Sequence, residues 1–198
     1  MTKLRFLIGN LVFCGLLTAA LAAAPQMLET KVLQEGYPGK QHELLPFFEG
    51  CCDDAGPFPA SASHALKSQD GNYYYPGYLV DNNLDTCWAV QGGPGEWFEV
   101  GVGAANGIPF HGFDLVNGYL KSEKLWRMNS RIKTLRVVID GKPYADVHLL
   151  DTYSVQGVRF PEPQPRLVDR VRFQVLEIYP GSDYDDLCVS EFQLEVGH

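Results

Sequence analysis

Short segments in which apolar and polar residues alternate are the feature that most constrains the fold. The pattern runs through residues 97–102, 145–149, 171–175 and 191–196. Side chains of a β-strand point alternately to the two faces of a sheet, so this period predicts strands with one buried face. Asp140-Gly141 adds a strong hairpin signal, and no segment after the N-terminal apolar run has the period of an amphipathic helix. The chain is therefore predicted to form an all-β, antiparallel sandwich or barrel.

The N-terminus has the organisation of a secretory signal peptide. Lys3 and Arg5 provide a basic start, residues 7–21 form an apolar run, and Ala20-Leu21-Ala22 matches a small-x-small cleavage site. The run is short for a membrane span and is followed by polar residues. We therefore expect cleavage of residues 1–22, no membrane span, and a secreted or periplasmic protein.

The rest of the chain is predicted to consist of an extension and a domain. Residues 23–56 have no sustained period and contain a small apolar cluster, Leu44, Leu45, Phe47 and Phe48. We interpret them as an N-terminal extension or linker that docks through this cluster. Strand patterns follow it, so residues 57–198 are assigned to one β-sandwich domain.

The charge of the chain argues against two classes of partner. The chain contains 16 Lys and Arg against 24 Asp and Glu, a net charge of −8, and loss of residues 1–22 removes only basic charge. An acidic exported protein is a poor candidate for binding nucleic acid or anionic lipid. Export also permits disulfides among the cysteines outside the signal peptide, which are Cys51, Cys52, Cys87 and Cys188.

An acidic turn before Trp88 combines two carboxylates, two amides and a hydroxyl within residues 81–86. Hard cations such as Ca²⁺ prefer clustered oxygen ligands on a loop that bends around them. Residues 184–191 share this acidic-then-apolar character, which predicts a sandwich closed at one end by an ion or a polar cluster, as in a binding module. The alternative is a network of Asx turns in which Asp81 and Asp85 accept backbone N–H groups without a metal.

A series of motifs from about Ser61 to Phe192 resembles a known family, the discoidin-like (F5/8 type C, galactose-binding-like) domains. The branch it resembles includes the glycan-binding and translocation domain at the front of streptococcal NAD glycohydrolase. The resemblance implies a jelly-roll β-sandwich and an exported, non-catalytic module that recognises glycans through loops at one end. The motifs are Asp81-x-x-x-Asp85-Thr86-x-Trp88, Gly95-Glu96-Trp97, Asn117-Gly118-Tyr119-x-Lys121-Ser122, Asn129-Ser130-Arg131-x-Lys133-x-Leu135, Tyr179-Pro180-Gly181 and Tyr184-Asp185-Asp186-x-x-x-Ser190-Glu191.

The resemblance also implies a metal site and a disulfide. In the wider fold the acidic loop and the Glu that opens the last strand often hold a structural Ca²⁺. Many relatives have Gly after the Asp, where this chain has Asn82. If the two segments meet, Cys87 and Cys188 are brought close and a bridge between them is expected. The implied metal ligands are Asp81, Asn83, Asp85, Thr86 and Glu191.

Three loops supply candidate ligand-binding residues. The rings in Tyr73-Tyr74-Tyr75 cannot all point inwards on a strand, so at least one is expected to be exposed and able to stack on a sugar. The alternative is a partly buried edge with the hydroxyls in solvent. Residues 117–131 gather amide, cationic and aromatic groups suited to small polar ligands, with structural roles assigned to Asn129 and Arg131. The candidate contacts are Tyr74, Tyr119, Lys121, Trp126, Tyr184 and Asp186.

Catalytic motifs are missing from the sequence. The five His residues are scattered, without HExxH, a phosphate loop or a nucleophile elbow. Asp185 and Asp186 are adjacent, whereas a glycosidase needs two carboxyls across a cleft. The predicted partner is a cell-surface glycan. The alternatives are a protein-interaction or secretion-assisting domain with a protein partner and, last, a hydrolase acting on NAD or glycan.

Overall fold

Two packed β-sheets form the body of the protein in the computed structural model, which describes residues 24–47, 59–69, 71–101, 109–164 and 170–196. The strands within these ranges are β1 Gln26–Glu29, β2 Lys31–Gln34, β3 Ala60–Ala62, β4 Trp88–Gln91, β5 Trp97–Gly101, β6 Phe110–Asn117, β7 Arg131–Ile139, β8 Lys142–His148, β9 Val155–Gln164, β10 Arg170–Tyr179 and β11 Asp186–Val196. A short helix α1 spans Glu123–Met128, and 3-10 helices span Gln41–Phe47 and Pro76–Leu79.

The strands are arranged as a sandwich. One sheet has the order β1-β8-β7-β10-β5-β3 and the other the order β2-β9-β6-β11-β4. Pairing is antiparallel throughout the described ladders except between β1 and β8, which run parallel. At the predicted hairpin Asp140 and Gly141 have φ values of 50° and 72°, which suits a type I′ turn between β7 and β8. The predicted all-β sandwich is therefore confirmed, with one parallel pair.

An aromatic cluster fills the space between the sheets. The rings of Phe98, Phe113, Phe173 and Phe192 are fully buried, and neighbouring centroids lie 4.6–5.2 Å apart. Trp88 packs against Phe98 in a tilted arrangement with centroids 5.5 Å apart, and it donates its indole N–H to the His64 carbonyl at 2.9 Å. Because each of these side chains lies on the inward face of its strand, the core fixes the strand register and hence the position of the loops at both ends.

The N-terminal segment is built into the sandwich rather than appended to it. Strand β1 joins one sheet and β2 the other, so the predicted extension over residues 23–56 contributes to both. Thr30 lies between these strands and donates its hydroxyl to Gln156 Oε1 at 2.6 Å. Docking through the apolar cluster is found at Leu44, which is buried in a second small core outside the main one. The expected signal peptide and the boundary at residue 57 lie outside the described residues.

Candidate functional site

A pocket of about 410 Å³ lies where several loops meet at one end of the sandwich. It is bounded by the stretch before the Pro76–Leu79 helix, by the connection from β6 through α1 to β7, and by the start of β11. The lining residues are Leu66, Gln69, Asn72, Tyr74, Ala89, Tyr119, Leu125, Asn129, Tyr184, Asp186 and Cys188.

The pocket floor is formed by strands β4 and β11. Ala89 and Cys188 are directly paired across these strands and are both buried. Tyr119 packs beside them, and its hydroxyl donates to the Asp85 carbonyl at 3.4 Å. Burial is the main cause that raises the pKa of Tyr119. The phenol therefore stays protonated and supplies a fixed aromatic surface.

Helix α1 forms one wall and explains which of its residues face the pocket. Ser122 caps the helix by accepting a hydrogen bond from the Leu125 N–H at 3.2 Å. Leu125 and Asn129 are four residues apart, so they lie on the same side of the helix and both line the pocket. Asn129 donates its side-chain amide to the Leu125 carbonyl at 2.8 Å, which leaves its amide oxygen available.

The polar groups of the pocket are amides and one carboxylate. Asn72 donates from Nδ2 to the Gln69 carbonyl at 3.3 Å, and Tyr184 at the rim is 47% exposed. The Asp186 carboxylate makes no hydrogen bond or ion pair within the described part of the chain. Partial burial, followed by the nearby Asp185, raises the pKa of Asp186. The pocket therefore combines aromatic surfaces with hydrogen-bonding groups that have spare capacity.

Four of the six candidate contacts from the sequence line this one pocket, namely Tyr74, Tyr119, Tyr184 and Asp186. Lys121 is exposed and outside the lining. Trp126 is also outside the lining and is buried, so its role as a ligand contact stays a prediction. Its ring is buried, its indole N–H donates to the Asn117 carbonyl at 2.9 Å, and the Arg131 guanidinium lies 4.4 Å from its centroid. These contacts hold the indole in the fold, because Trp126 lies about 100° around the axis of α1 from Leu125 and packs against Tyr153 instead of the pocket.

Sequence reasoning did not place Asn129 in the pocket, and it expected a structural role for Arg131. Arg131 is buried, binds Asp151 at 2.6 Å and donates to the carbonyls of Trp126 and Asn129. Gln69 and Asn72 gave no sequence signal, since they lie on irregular backbone. The sequence did contain a signal for Asn129. Ser122 can cap a short helix, and the four-residue spacing then puts Asn129 on the same side of that helix as Leu125.

The tyrosine run divides between two environments. Tyr73 and Tyr75 are 49% and 55% exposed and stack on each other with centroids 5.4 Å apart. Tyr74 lies between them in sequence and turns into the pocket. The expectation of an exposed ring is confirmed, although the segment is irregular rather than a strand.

A groove of about 550 Å³ adjoins the pocket and shares Leu66 and Gln69 with it. Charged groups occur here that are missing from the pocket lining. His64 Nδ1 lies 3.0 Å from Glu96 Oε2, and Lys67 lines the same groove. The two cavities therefore lie side by side, with Leu66 and Gln69 between them.

The acidic loop is organised by its own side chains. Asp81 accepts from the Asn83 N–H at 3.1 Å and from the Thr86 hydroxyl at 2.8 Å, and Asn83 Oδ1 accepts from the Asp85 N–H at 3.0 Å. Asn82 has a φ of 53°, a left-handed conformation that Asn tolerates. These are Asx turns, so the arrangement considered as the alternative to a metal site is present.

Glu191 reaches this loop from β11, as the resemblance implied. Its side chain is 3% exposed and lies near the backbone N–H groups of Asn83 and Asn82, which partly offset the rise in its pKa. Its Oε2 atom is buried without a hydrogen-bond partner. Burial, followed by repulsion from Asp81, raises the pKa of Glu191 to about 9. A buried oxygen without a partner beside a second carboxylate is a costly arrangement unless a proton or a cation compensates it.

The donor chemistry at this point suits a hard cation, with carboxylates from Asp81 and Glu191 and oxygens from Asn83 and Thr86 on the same loop. Asp85 departs from the implied set, because its Oδ1 lies 3.9 Å from His42 Nε2. No cluster of three His, Cys, Asp or Glu side chains that could hold a metal occurs among the described residues. A cation here would therefore depend on two carboxylates and on amide, hydroxyl or carbonyl oxygens.

Cys87 and Cys188 are neighbours below the pocket. Cys87 directly precedes β4 and Cys188 pairs with Ala89, so the two are diagonal neighbours on one face. Both are buried free thiols, so the predicted bond between them is absent from this structure. Burial, followed by the Cys188 thiol, raises the pKa of Cys87. The expected proximity is found, and the bridge stays a prediction; Cys51 and Cys52 lie outside the described residues.

A β-sandwich of this topology places the protein in the discoidin-like, galactose-binding-like class. The chain belongs to the NAD glycohydrolase translocation F5/8 type C domain family, which it matches over residues 52–195. No curated protein matches the sequence. Within the described ranges, helices long and apolar enough to cross a membrane are absent.

Solved structures with TM-scores above 0.5 share the fold. CpGH89CBM32-5 from Clostridium perfringens, in complex with GalNAc-β-1,3-galactose, has a TM-score of 0.52 at 15% identity over 69% of this chain and 94% of that one. The CBM32-1, CBM32-2 and M60 catalytic domains of Clostridium perfringens ZmpB give 0.58 at 12% identity, over 88% and 17%. Arabinofuranosyltransferase AftD from Mycobacteria gives 0.52 at 13%, over 71% and 11%.

Proposed function

We propose that this protein is an exported, non-catalytic module that binds glycans in the pocket at the loop end of the sandwich. The observation that carries the proposal is the combination of Tyr74, Tyr119 and Tyr184 with amide and carboxylate groups in one cavity. Sugar rings present flat apolar faces to aromatic side chains and hydroxyls to amides and carboxylates. The volume lies within the range of about 300–1,000 Å³ found for small-molecule sites.

The fold neighbours support this proposal. The Clostridium perfringens module that shares the fold over 69% of this chain was solved in complex with GalNAc-β-1,3-galactose. The adjoining groove lined by His64, Lys67 and Glu96 gives room for a second sugar unit. We therefore expect an oligosaccharide to bind more tightly than the single sugar that occupies the pocket.

The single carboxyl group among the lining residues favours binding over hydrolysis. Glycosidases use a pair of carboxyls on either side of the scissile bond. Asp186 is the single carboxylate among the lining residues, and it has no acidic partner across the cavity. This arrangement supports recognition without turnover.

Screening of the full chain on a broad glycan array tests the proposal. We expect binding to a set of structures that share a terminal sugar unit, with signal lost on competition by that unit. An array without any bound glycan would contradict the proposal, and so would steady turnover of a bound glycan or of NAD by the purified protein.

A second candidate function is protein interaction or assistance in translocation, and one observation favours it. Tyr73 and Tyr75 form an exposed stacked pair outside the pocket lining, and exposed tyrosines are enriched in protein interfaces. A protein partner that co-purifies with the chain, and that is released by Tyr73→Ala but unaffected by sugars, would establish this function.

We further propose that Ca²⁺ stiffens the binding end of the sandwich by joining Asp81, Asn83 and Thr86 to Glu191. The buried, unpartnered Oε2 of Glu191 supports this proposal. A bound cation would supply the positive charge that two neighbouring carboxylates lack. Its role would be structural. The Tyr119 hydroxyl donates to the Asp85 carbonyl of this loop, so a cation that fixes the loop would also help to fix this pocket residue.

A further inference from the structure

The charge of the pocket is set by one residue. Among its lining residues Asp186 alone carries a charged side chain, and the other polar groups are neutral amides and phenols. The carboxylate has no hydrogen bond or ion pair in the part of the chain that the structure describes. Any ligand that enters therefore meets an uncompensated acidic group.

Cations near the pocket are engaged elsewhere or face away from it. Arg127 binds Glu123 at 2.7 Å, and Arg131 is buried against Asp151. Lys121 is exposed outside the lining, and Lys67 lines the adjoining groove rather than the pocket. Within the described ranges no basic side chain lines the pocket to balance a second negative charge.

The two signs of ligand charge consequently have opposite effects. A sugar carboxylate would be placed near Asp186 in a partly buried site, where like charges repel more strongly than in water. A sugar ammonium group would instead form a charge-assisted hydrogen bond with a carboxylate that lacks one. The amides can form hydrogen bonds with the hydroxyls of a neutral sugar, which Asp186 neither repels nor attracts by charge. Specificity of this kind arises from repulsion as much as from attraction.

We propose that the pocket selects sugar units by charge, taking amine-bearing units most tightly and neutral units next, and rejecting carboxylate-bearing units such as uronic and sialic acids. This inference rests on the proposed glycan-binding function. It concerns only the sugar unit in the pocket. The neighbouring groove is lined by Lys67, whose positive charge would favour a negatively charged second unit.

Titrations followed by NMR test the order with monosaccharides that differ at one position. Galactosamine, galactose and galacturonic acid, and the corresponding glucose series, are added to the full chain at pH 7. We expect the amine-bearing sugar to bind at least about tenfold more tightly than the carboxylate-bearing sugar of the same series. In Asp186→Asn the three affinities should converge, with the melting temperature retained. Asp183→Asn, which changes an exposed acid of the same loop, should keep the order.

The outcomes separate this inference from the proposed function. Binding of the carboxylate-bearing sugar as tightly as the neutral one, or an order that Asp186→Asn leaves unchanged, overturns the charge selection while glycan binding stands. Failure of every sugar in both series and of the array overturns the proposed function and the inference together.

Discussion

The Glu191 carboxyl lies against the turn that begins at Asp81, and the negative charge of Asp81 contributes to the raised pKa of Glu191. The contact joins β11 to the loop before β4, next to the edge of the sandwich at which the pocket opens. Because Glu191 Oε2 is buried without a hydrogen-bond partner, we expect this contact to respond to pH, to substitution and to cations.

The free energy of unfolding should depend on pH through Glu191. Its pKa is about 9 in the fold against an ordinary value of 4.5. A raised folded pKa gives a stability contribution that is full below pH 4.5 and is lost as the pH rises through about 9. Without metal, Glu191→Gln should therefore gain stability relative to the wild type as the pH rises, by on the order of a few kcal/mol. Urea unfolding in EDTA at pH 5 and pH 8.5 measures this difference, and a constant difference would contradict it.

Calcium should offset the stability that is lost when Glu191 ionises. If Ca²⁺ binds the ionised carboxylates, it raises the melting temperature of the wild type by linkage, and more strongly at pH 8.5 than at pH 5. Glu191→Gln should lose the effect. Asp85→Asn is the matched control, because its carboxylate faces His42, and should keep most of it. A melting temperature indifferent to both Ca²⁺ and EDTA would leave the Asx-turn network as the whole account of the loop.

Oxidation should join Cys87 to Cys188. The two thiols are diagonal neighbours, and a bond between them would cross-link the start of β4 to β11 and stabilise the fold by about 2–4 kcal/mol. Peptide mapping without reduction, on protein exported into an oxidising compartment, identifies the pair. Cys188→Ala should then lower the melting temperature in oxidised protein more than in reduced protein. A map that joins Cys188 to Cys51 or Cys52 would show the pairing to be wrong.

Trp126 should matter for stability and not for ligand contact. Its ring is buried, packs with Tyr153 at 5.6 Å and donates to the Asn117 carbonyl. Trp126→Phe keeps an aromatic ring but loses this hydrogen bond, so we expect a loss of about 1–3 kcal/mol. Glycan affinity should stay within about twofold, measured by the same titration as the wild type. A large loss of affinity in a variant with unchanged stability would restore Trp126 to the binding surface.

The strands that could be predicted from the sequence are those with one face buried in the core and the other face polar. Strand β11 alternates Phe192, Leu194 and Val196 with polar residues because one face meets the core. Strands β1 and β2 gave no such signal, since both lie at sheet edges and most of their side chains are exposed. An edge strand is held by its ladder of backbone hydrogen bonds, which leave no pattern in the side chains.

Binding residues could be predicted from the sequence where a residue type suited to sugar contact occurs on a loop at the end of a strand. Tyr184 and Asp186 sit on a loop end beside a strand start, and the structure places them in the pocket. The sequence analysis placed Trp126 in the binding surface and gave Asn129 a structural role, whereas in the structure Asn129 lines the pocket and Trp126 is buried outside the lining. A helix as short as α1 has too few turns for its two faces to be distinguished from apolar periodicity. Which side of α1 meets the sandwich was settled by packing against Tyr153 and not by residue type.

The most direct test of glycan binding compares two tyrosines that are similarly exposed. Tyr184 lies on the pocket rim and is 47% exposed, whereas Tyr75 is 55% exposed and outside the lining. Affinity for the strongest array ligand is measured by calorimetry for the wild type, Tyr184→Ala and Tyr75→Ala. Binding through the pocket predicts a loss of at least about tenfold in Tyr184→Ala and little change in Tyr75→Ala. Equal affinities in all three proteins, or a loss confined to Tyr75→Ala, would contradict it.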